Sequence, residues 1–300
     1  MNVMIMERPE KETLRRRLNH MLLNRLPVVN PILSENDQFV LKIASTQAEI
    51  RAAQKLRYRV FHQEQGRLED CPNEIDRDRY DRHCRHLIAI EKASGRVVGT
   101  YRTLSGDNAR SAGNFYSQDE FTIRGLDGIR HEVCEVGRSC VAAEFRSGAV
   151  VSMLWGALAN LRFHRDERLK LLNYARRQHP PVPKFNYLFG CVSLEETDAT
   201  AALALYEYFI QNHQISDRVS AIPRPGFELP PVADAEIQRH LHGHEKQISR
   251  SLPPLFKGYL RLGAKICGPP AYDRAFGTVD FLILQDMREI PERYARHFNI

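Results

Sequence analysis

Between Phe39 and Gln285 the apolar residues of this chain change period repeatedly, from two to about 3.6 and back, which confines it to a layered α/β structure. Phe39, Leu41 and Ile43 alternate as in a half-buried strand. Thr46 with Glu49 three residues on has the form of a capping box, opening a helix expected to run to about Gln65 with Ile50, Ala53, Leu56 and Val60 inward. His86–Glu91 and Val97–Leu104 flank Ser94-Gly95-Arg96 as the arms of a hairpin. Val133–Val141 reads as a strand, Ser147 to about His164 as a helix with Val151, Leu154, Leu158 and Leu161 inward, Tyr187–Leu194 as a strand and Asp198–Asn212 as a helix. Pro253 and Pro254 open a further helix, proline being favoured in the first turn, and Thr278–Gln285 is the last strand. There are too few helices for a doubly wound parallel sheet, so a mixed, partly antiparallel sheet flanked by helices is expected.

Charge and composition exclude several classes. The longest stretch without a charged side chain, Ser147 to Leu161, is shorter than the ~20 residues of a membrane-spanning helix. The amino-terminal residues hold no apolar run that could serve as a signal peptide, and six cysteines without a CxxC pair suit reduced thiols in a cytoplasm. Lys and Arg exceed Asp and Glu by 43 to 37, a net charge of +6 that favours acidic partners. Residues 1–30 form a separate basic segment in which Leu14, Leu18, Met21 and Leu22 share one helical stripe beside Arg15, Arg16 and Arg17; it suits either a helix packed on the domain or one lying on anionic lipid. Asn30 and Pro31 mark a break, and residues 36–300 are expected as a single domain. Within it, residues 165–184 form a basic insertion.

GxGxxG and GxxxxGK[ST] are both missing, so the usual phosphate cradles are not present. His83-Cys84-Arg85-His86 and His240, His242 and His244 lack the paired spacing of a structural zinc site, and no metal is expected. The strand Val133–Val141 is more informative, because Glu135 and Arg138 interrupt an otherwise apolar or small run. Ionised groups inside a sheet are costly unless paired. Residues three apart point to opposite faces of an ideal strand, so a bulge near Gly137 would let both face one cleft. A buried ion pair of Glu135 with Arg57 or Arg102 is the structural alternative.

Leu56-Arg57-Tyr58-Arg59-Val60-Phe61, Asp78-Arg79-Tyr80-Asp81, Tyr101-Arg102-Thr103-Leu104 and Glu135-Val136-Gly137-Arg138-Ser139, in this order, resemble the acyl-homoserine-lactone synthases. Asn114 to Phe121, Glu135 to Val141, Phe189 to Ser193, Leu252 to Gly268 and Gly277 to Leu282 resemble more closely the ornithine N-alpha-acyltransferases. The resemblance spans roughly Phe39 to Phe298; the basic insertion is longer than that family leads one to expect. It implies a GNAT-like acyltransferase fold with a mostly antiparallel central sheet, and transfer of a fatty acyl chain, often 3-hydroxylated, from acyl carrier protein to the α-amine of an amino acid, ornithine in the first instance. It implies no cofactor beyond the phosphopantetheine on the carrier protein, and lipid release at the inner-membrane surface. Glycine, lysine or an aromatic amino acid as acceptor, a homoserine-lactone synthase, and a basic module binding nucleic acid or membrane without turnover stay open as alternatives.

On that resemblance Glu135 and Arg138 are the expected catalytic pair, with Glu135 as base directly or through a water. Arg57, Arg59, Phe61, Asp78, Asp81, Arg102 and Phe121 are expected to bind substrate, the aspartates taking cationic ends and Arg102 the carboxylate. The turn Arg146-Ser147-Gly148 is expected at the phosphopantetheine phosphate, and Arg162, Arg165, Arg168, Lys170, Arg176 and Arg177 on the face that docks the acidic carrier protein. No nucleic-acid partner is expected.

Overall fold

The computed structural model describes residues 32–66, 71–163, 185–195 and 198–294. The amino-terminal segment and the basic insertion from Arg165 onward lie outside them. Strands β1 (Ile32–Glu35) and β2 (Phe39–Ile43) form an edge hairpin that the sequence pattern shows only in its second arm. Helix α1 (Gln47–Tyr58) starts at the expected capping box, with the Thr46 Oγ1 accepting from Glu49 N–H and the Glu49 carboxylate accepting from Thr46 N–H. Its α-helical bonding stops at Tyr58, and Arg59–Gln63 continue as one wider π turn that swings Phe61 toward the centre of the molecule.

Strands β3 (Arg85–Glu91) and β4 (Val97–Ser105) form the expected hairpin, followed by α2 (Gly106–Ala112), β5 (Phe121–Arg124) and β6 (Val133–Val141). Then come α3 (Ala149–Phe163), β7 (Tyr187–Leu194), α4 (Ala199–Gln211), β8 (Ser220–Pro223), α5 (Asp234–Leu241), α6 (Glu245–Ser251), α7 (Pro254–Arg261), β9 (Lys265–Ile266), β10 (Ala271–Asp273) and β11 (Thr278–Asp286). The main sheet runs β1-β2-β3-β4-β6-β7-β11-β10, with β9 alongside β11, while β5 and β8 pair as a separate ribbon. Among the described strands of the main sheet β6 and β7 pair in parallel and the other neighbours pair antiparallel.

Apolar side chains fill both faces of the sheet. On one, α1 and α3 bury Leu56, Val150, Leu154 and Leu158 against Leu41, Leu87 and Val136. Farther along that layer Phe209, Phe256 and Phe281 meet ring to ring at 5.6–5.8 Å beneath Trp155 and Tyr259. The other face is closed by Tyr80, Phe115, Phe121 and Phe189. Each such side chain contributes about 1.5–3 kcal/mol by leaving water. The two layers hold β6 and β7 from opposite sides, which matters where those strands separate.

Candidate active site

Strands β6 and β7 are in register at Val133↔Tyr187, Cys134↔Leu188 and Glu135↔Phe189, and there the pairing ends. Two features of the sequence account for the opening. Thr100 of β4 pairs with Cys140, but Arg102 pairs with Gly137, so β6 carries one residue more than its partner over this step. Arg138 sits in the bulge with φ of 50°. Opposite, Gly190 brings β7 so close to Val136 that a Cβ there would stand 2.1 Å from the Val136 carbonyl oxygen. Beyond this contact a cavity of about 270 Å³ opens, lined by Glu135 to Ser139 from β6 and Cys191 to Ser193 from β7. The bulge thus brings Glu135 and Arg138 to one cleft, as the apolar run around them suggested.

Glu135 is 5% exposed. Tyr116 donates its N–H to Oε2 at 2.8 Å, and Ser117 donates its N–H (2.7 Å) and its hydroxyl (2.6 Å) to Oε1. Burial raises the pKa of Glu135, and the hydrogen bonds from Ser117 and Tyr116 offset that only in part, leaving it above the ordinary value. Among the described residues neither Arg57 nor Arg102 forms an ion pair with it, so the structural alternative of a buried pair is not what this fold builds.

Those arginines have other partners. Arg57, 0% exposed, donates to Asp76 (2.8 and 2.5 Å) and to Asp81 (2.7 and 3.0 Å). Arg102 donates to Asp78 at 2.5 Å and lies 3.7 Å from Asp81. Arg138 reaches Asp76 and Asp78 at 3.5 and 3.7 Å, with its guanidinium 4.9 Å from the Phe276 ring centre and 5.3 Å from that of Tyr116. Burial works against ionised Asp81 and Asp76, but the arginines outweigh it and hold both carboxyls below their usual range. Burial likewise opposes the charge on Arg102, and Asp78 and Asp81 overcome it.

Asp78 and Asp81, expected to take cationic ends of the substrate, are already paired here, three arginines and three aspartates neutralising one another. Arg57 and Asp81 stand outside the cavity, whereas Arg102, Arg138 and Phe61 line it. Phe121, expected at the substrate, is 1% exposed in the core beside Phe115. Arg59 is exposed and does not line the cavity.

A second acidic group went unnoticed in the sequence. Asp280 on β11 and Asp273 on β10 line the cavity, and Glu120 lies behind, with its carboxyl, that of Asp280 and the Cys191 thiol all within 4.8 Å. Burial, then the charges of Asp280 and Asp273, push Glu120 up to about 9, and burial raises Asp280 as well. Burial also pushes the Cys191 thiol well up, which leaves it protonated and a weak metal ligand. Asp280 interrupts an apolar strand just as Glu135 does, and that signal would have found it. Across the sheet Val136, Val192, Leu255, Phe256 and Tyr259 give the same cavity an apolar half, where the hydroxyls of Tyr101 and Tyr259 meet.

Arg146, Ser147 and Gly148 form an exposed turn directly ahead of α3, with Gly148 at φ of 103°; Arg146 is tied to the Val141 carbonyl at 2.9 Å and to Glu64 at 2.5 Å. Arg162, expected on the docking face, is 8% exposed and turned inward, donating to the carbonyls of Phe185 (3.0 Å) and Met287 (3.2 Å) and to Asn186 (2.8 Å). Arg165, Arg168, Lys170, Arg176 and Arg177 lie outside the described residues. Among the described residues no helix is long and apolar enough to cross a membrane.

Residues 56–156, from the end of α1 into α3, match the acetyltransferase (GNAT) domain family. The L-ornithine N(alpha)-acyltransferase of Brucella abortus is 32% identical over 280 residues, covering 89% of this chain and 91% of that protein. The protein of the same name from Rhizobium meliloti is 32% identical over 268 residues, covering 86% and 83%. Among solved structures, the acyl-homoserine-lactone synthase LasI superposes with a TM-score of 0.40 at 12% identity, covering 84% of this chain and 91% of its own. By its 32% identity to these two acyltransferases over 86–89% of its length, and by the matching GNAT domain, the chain belongs to the L-ornithine N(alpha)-acyltransferase family and is an acyltransferase of GNAT fold.

Proposed function

We propose that this protein transfers a fatty acyl group from the phosphopantetheine thioester of acyl carrier protein to the α-amine of ornithine, giving a lyso-ornithine lipid. The observation that carries the reading is Glu135, buried at the point where β6 and β7 part, with burial raising its proton affinity above that of an ordinary carboxylate. An α-ammonium ion cannot attack a thioester, so a base must take its proton. Glu135 takes it, directly or through one water. The amine nitrogen then bonds to the thioester carbon, the carbon–sulfur bond breaks, and the thiolate leaves on the phosphopantetheine arm to be reprotonated.

Backbone N–H groups of the Gly137–Ser139 bulge face the developing oxyanion, a preorganised contribution that is often the largest in catalysis. Arg138, loosely paired and with Nε buried and lacking a hydrogen-bond partner among the described residues, receives the acceptor's carboxylate beside Arg102. The apolar half of the cavity takes the acyl chain. The Arg146-Ser147-Gly148 turn, ahead of the α3 amino terminus, receives the phosphopantetheine phosphate. Arg165, Arg168, Lys170, Arg176 and Arg177 steer the acidic carrier protein. Residues 1–30 lie on anionic lipid, where the product is released; deleting them should lower binding to anionic liposomes, and unchanged binding refutes that role.

The test is incubation with acyl-acyl carrier protein and an equimolar mixture of amino acids. A product with the mass of acyl-ornithine supports the reading. A different acyl-amino acid, or none, overturns it.

A further inference from the structure

We propose that Glu120, Asp273 and Asp280 form the pocket that receives the side-chain ammonium of the acceptor, so that this wall of the cavity selects diamino acids over neutral ones of the same shape. The inference rests on the amino-acid acylation proposed above and names the group that chooses the acceptor.

Charge accounting points to it first. Arg57, Arg102 and Arg138 are balanced by Asp76, Asp78 and Asp81. Among the described residues no lysine, arginine or histidine pairs with Glu120, Asp273 or Asp280, although these are only 3, 7 and 4% exposed. Buried carboxylates without a counter-ion cost stability. That cost becomes intelligible if a cation arrives with the substrate.

Position is the second ground. Asp273 and Asp280 line the same cavity as Glu135 and Arg138. Asp273 Oδ1 is held by the N–H groups of Ala275 (2.9 Å) and Phe276 (3.1 Å), and its other oxygen takes no hydrogen bond within the described residues. Asp280 accepts from the Thr278 hydroxyl at 3.0 Å. A short relay joins the acids to the reaction centre: Glu135 to Ser117 (2.6 Å), Ser117 to Cys191 (3.5 Å), Cys191 to Glu120 (3.6 Å). An acceptor with its α-amine at Glu135 and its carboxylate at Arg138 projects its side chain along this wall.

An ammonium, compact and with three donors, fits a ring of carboxylate oxygens better than a planar guanidinium does. The elevated proton affinity of Glu120 agrees, since without a ligand a proton occupies the place of the cation.

The experiment compares ornithine with norvaline, which has the same chain length without the ammonium, in the full-length enzyme and in D280N, E120Q and D273N. Amino-acid binding by calorimetry and kcat/KM for acylation are both read. Wild type should prefer ornithine by about a hundredfold or more, the scale for a buried charge pair that loses a partner. D280N should bring the ratio toward one through the ornithine KM, with norvaline little changed, and E120Q and D273N should move it the same way. Melting temperatures of E120Q and D280N at or above wild type separate this from a structural role, which would lower them. A ratio unchanged in folded variants overturns the inference, as does wild-type activity lost to EDTA and restored by zinc. If ornithine binds with this selectivity but is not acylated, the inference stands and the proposed reaction falls; if ornithine does not bind, the inference falls.

Discussion

Replacing Glu135 by glutamine separates chemistry from architecture, because the structure gives a magnitude for each. The glutamine oxygen can keep both bonds from Ser117, but its NH2 then faces the Tyr116 N–H, and one donor loses its partner. An unmet buried donor costs about 1–3 kcal/mol. Against that, the variant removes a carboxylate whose burial outweighs its hydrogen bonds, as the raised pKa records. The two effects oppose, so E135Q should melt within a few degrees of wild type, at roughly 2–4 °C per kcal/mol. The raised pKa also sets the sign with pH. The group stabilises the fold most when protonated, below about pH 4, and that contribution is lost as pH rises through the native value. The margin of wild type over E135Q should therefore be widest in acid. Activity behaves differently: loss of a general base lowers kcat by about 10²–10⁴, and part should return at high pH, where more of the amine is already neutral. The assay is the pH–rate profile of both proteins on saturating acyl-carrier protein, beside their melting curves. A folded E135Q whose deficit stays constant with pH refutes the base role and leaves Glu135 as the anchor of the Tyr116–Ser117 turn.

Arg57→Met should unfold about 3–5 kcal/mol more easily by urea titration, since it strands buried Asp76 and Asp81. Both aspartates are depressed, so their contribution is full above the usual range near pH 4 and lost as pH falls through the lower native values; R57M should flatten that acid limb, and an unaltered acid limb contradicts the assignment. Gly190→Ala should cost about 1–3 kcal/mol in thermal melts by driving β7 from the Val136 carbonyl, whereas Gly137→Ala, with nothing within 4 Å, should stay within about 0.5 kcal/mol; equal melts for the two would refute the close-contact argument. Reversing Arg165, Arg168 and Arg176 to glutamate should raise KM for carrier protein and leave kcat unchanged, and an unaltered KM at low salt removes their docking role.

The elements that place the site were legible where period and end signals agree. Val133–Val141 and Tyr187–Leu194 stand at their expected bounds because both are long, apolar and flanked by polar chain. The oddity of charge in an apolar strand led to Glu135 and Arg138. Short pieces such as Ile32–Glu35 and Ala271–Asp273 span too few residues to show a period, yet the second of these positions Asp273. Pairing at a distance was the other blind spot. Nothing local in Asp78-Arg79-Tyr80-Asp81 tells that Arg57 and Arg102 already hold both carboxylates. Nor does the count of basic residues tell that Arg162 turns inward to main-chain carbonyls.

The most direct test of the account is the structure of the product made from ornithine and acyl-acyl carrier protein, read by fragmentation of the isolated lipid. With the side-chain ammonium held at the acids and the α-amine delivered to Glu135, the acyl group must be on the α-nitrogen, and Nα-acetylornithine must be inert. Acylation of the side-chain nitrogen, or turnover of the Nα-blocked compound, would contradict it.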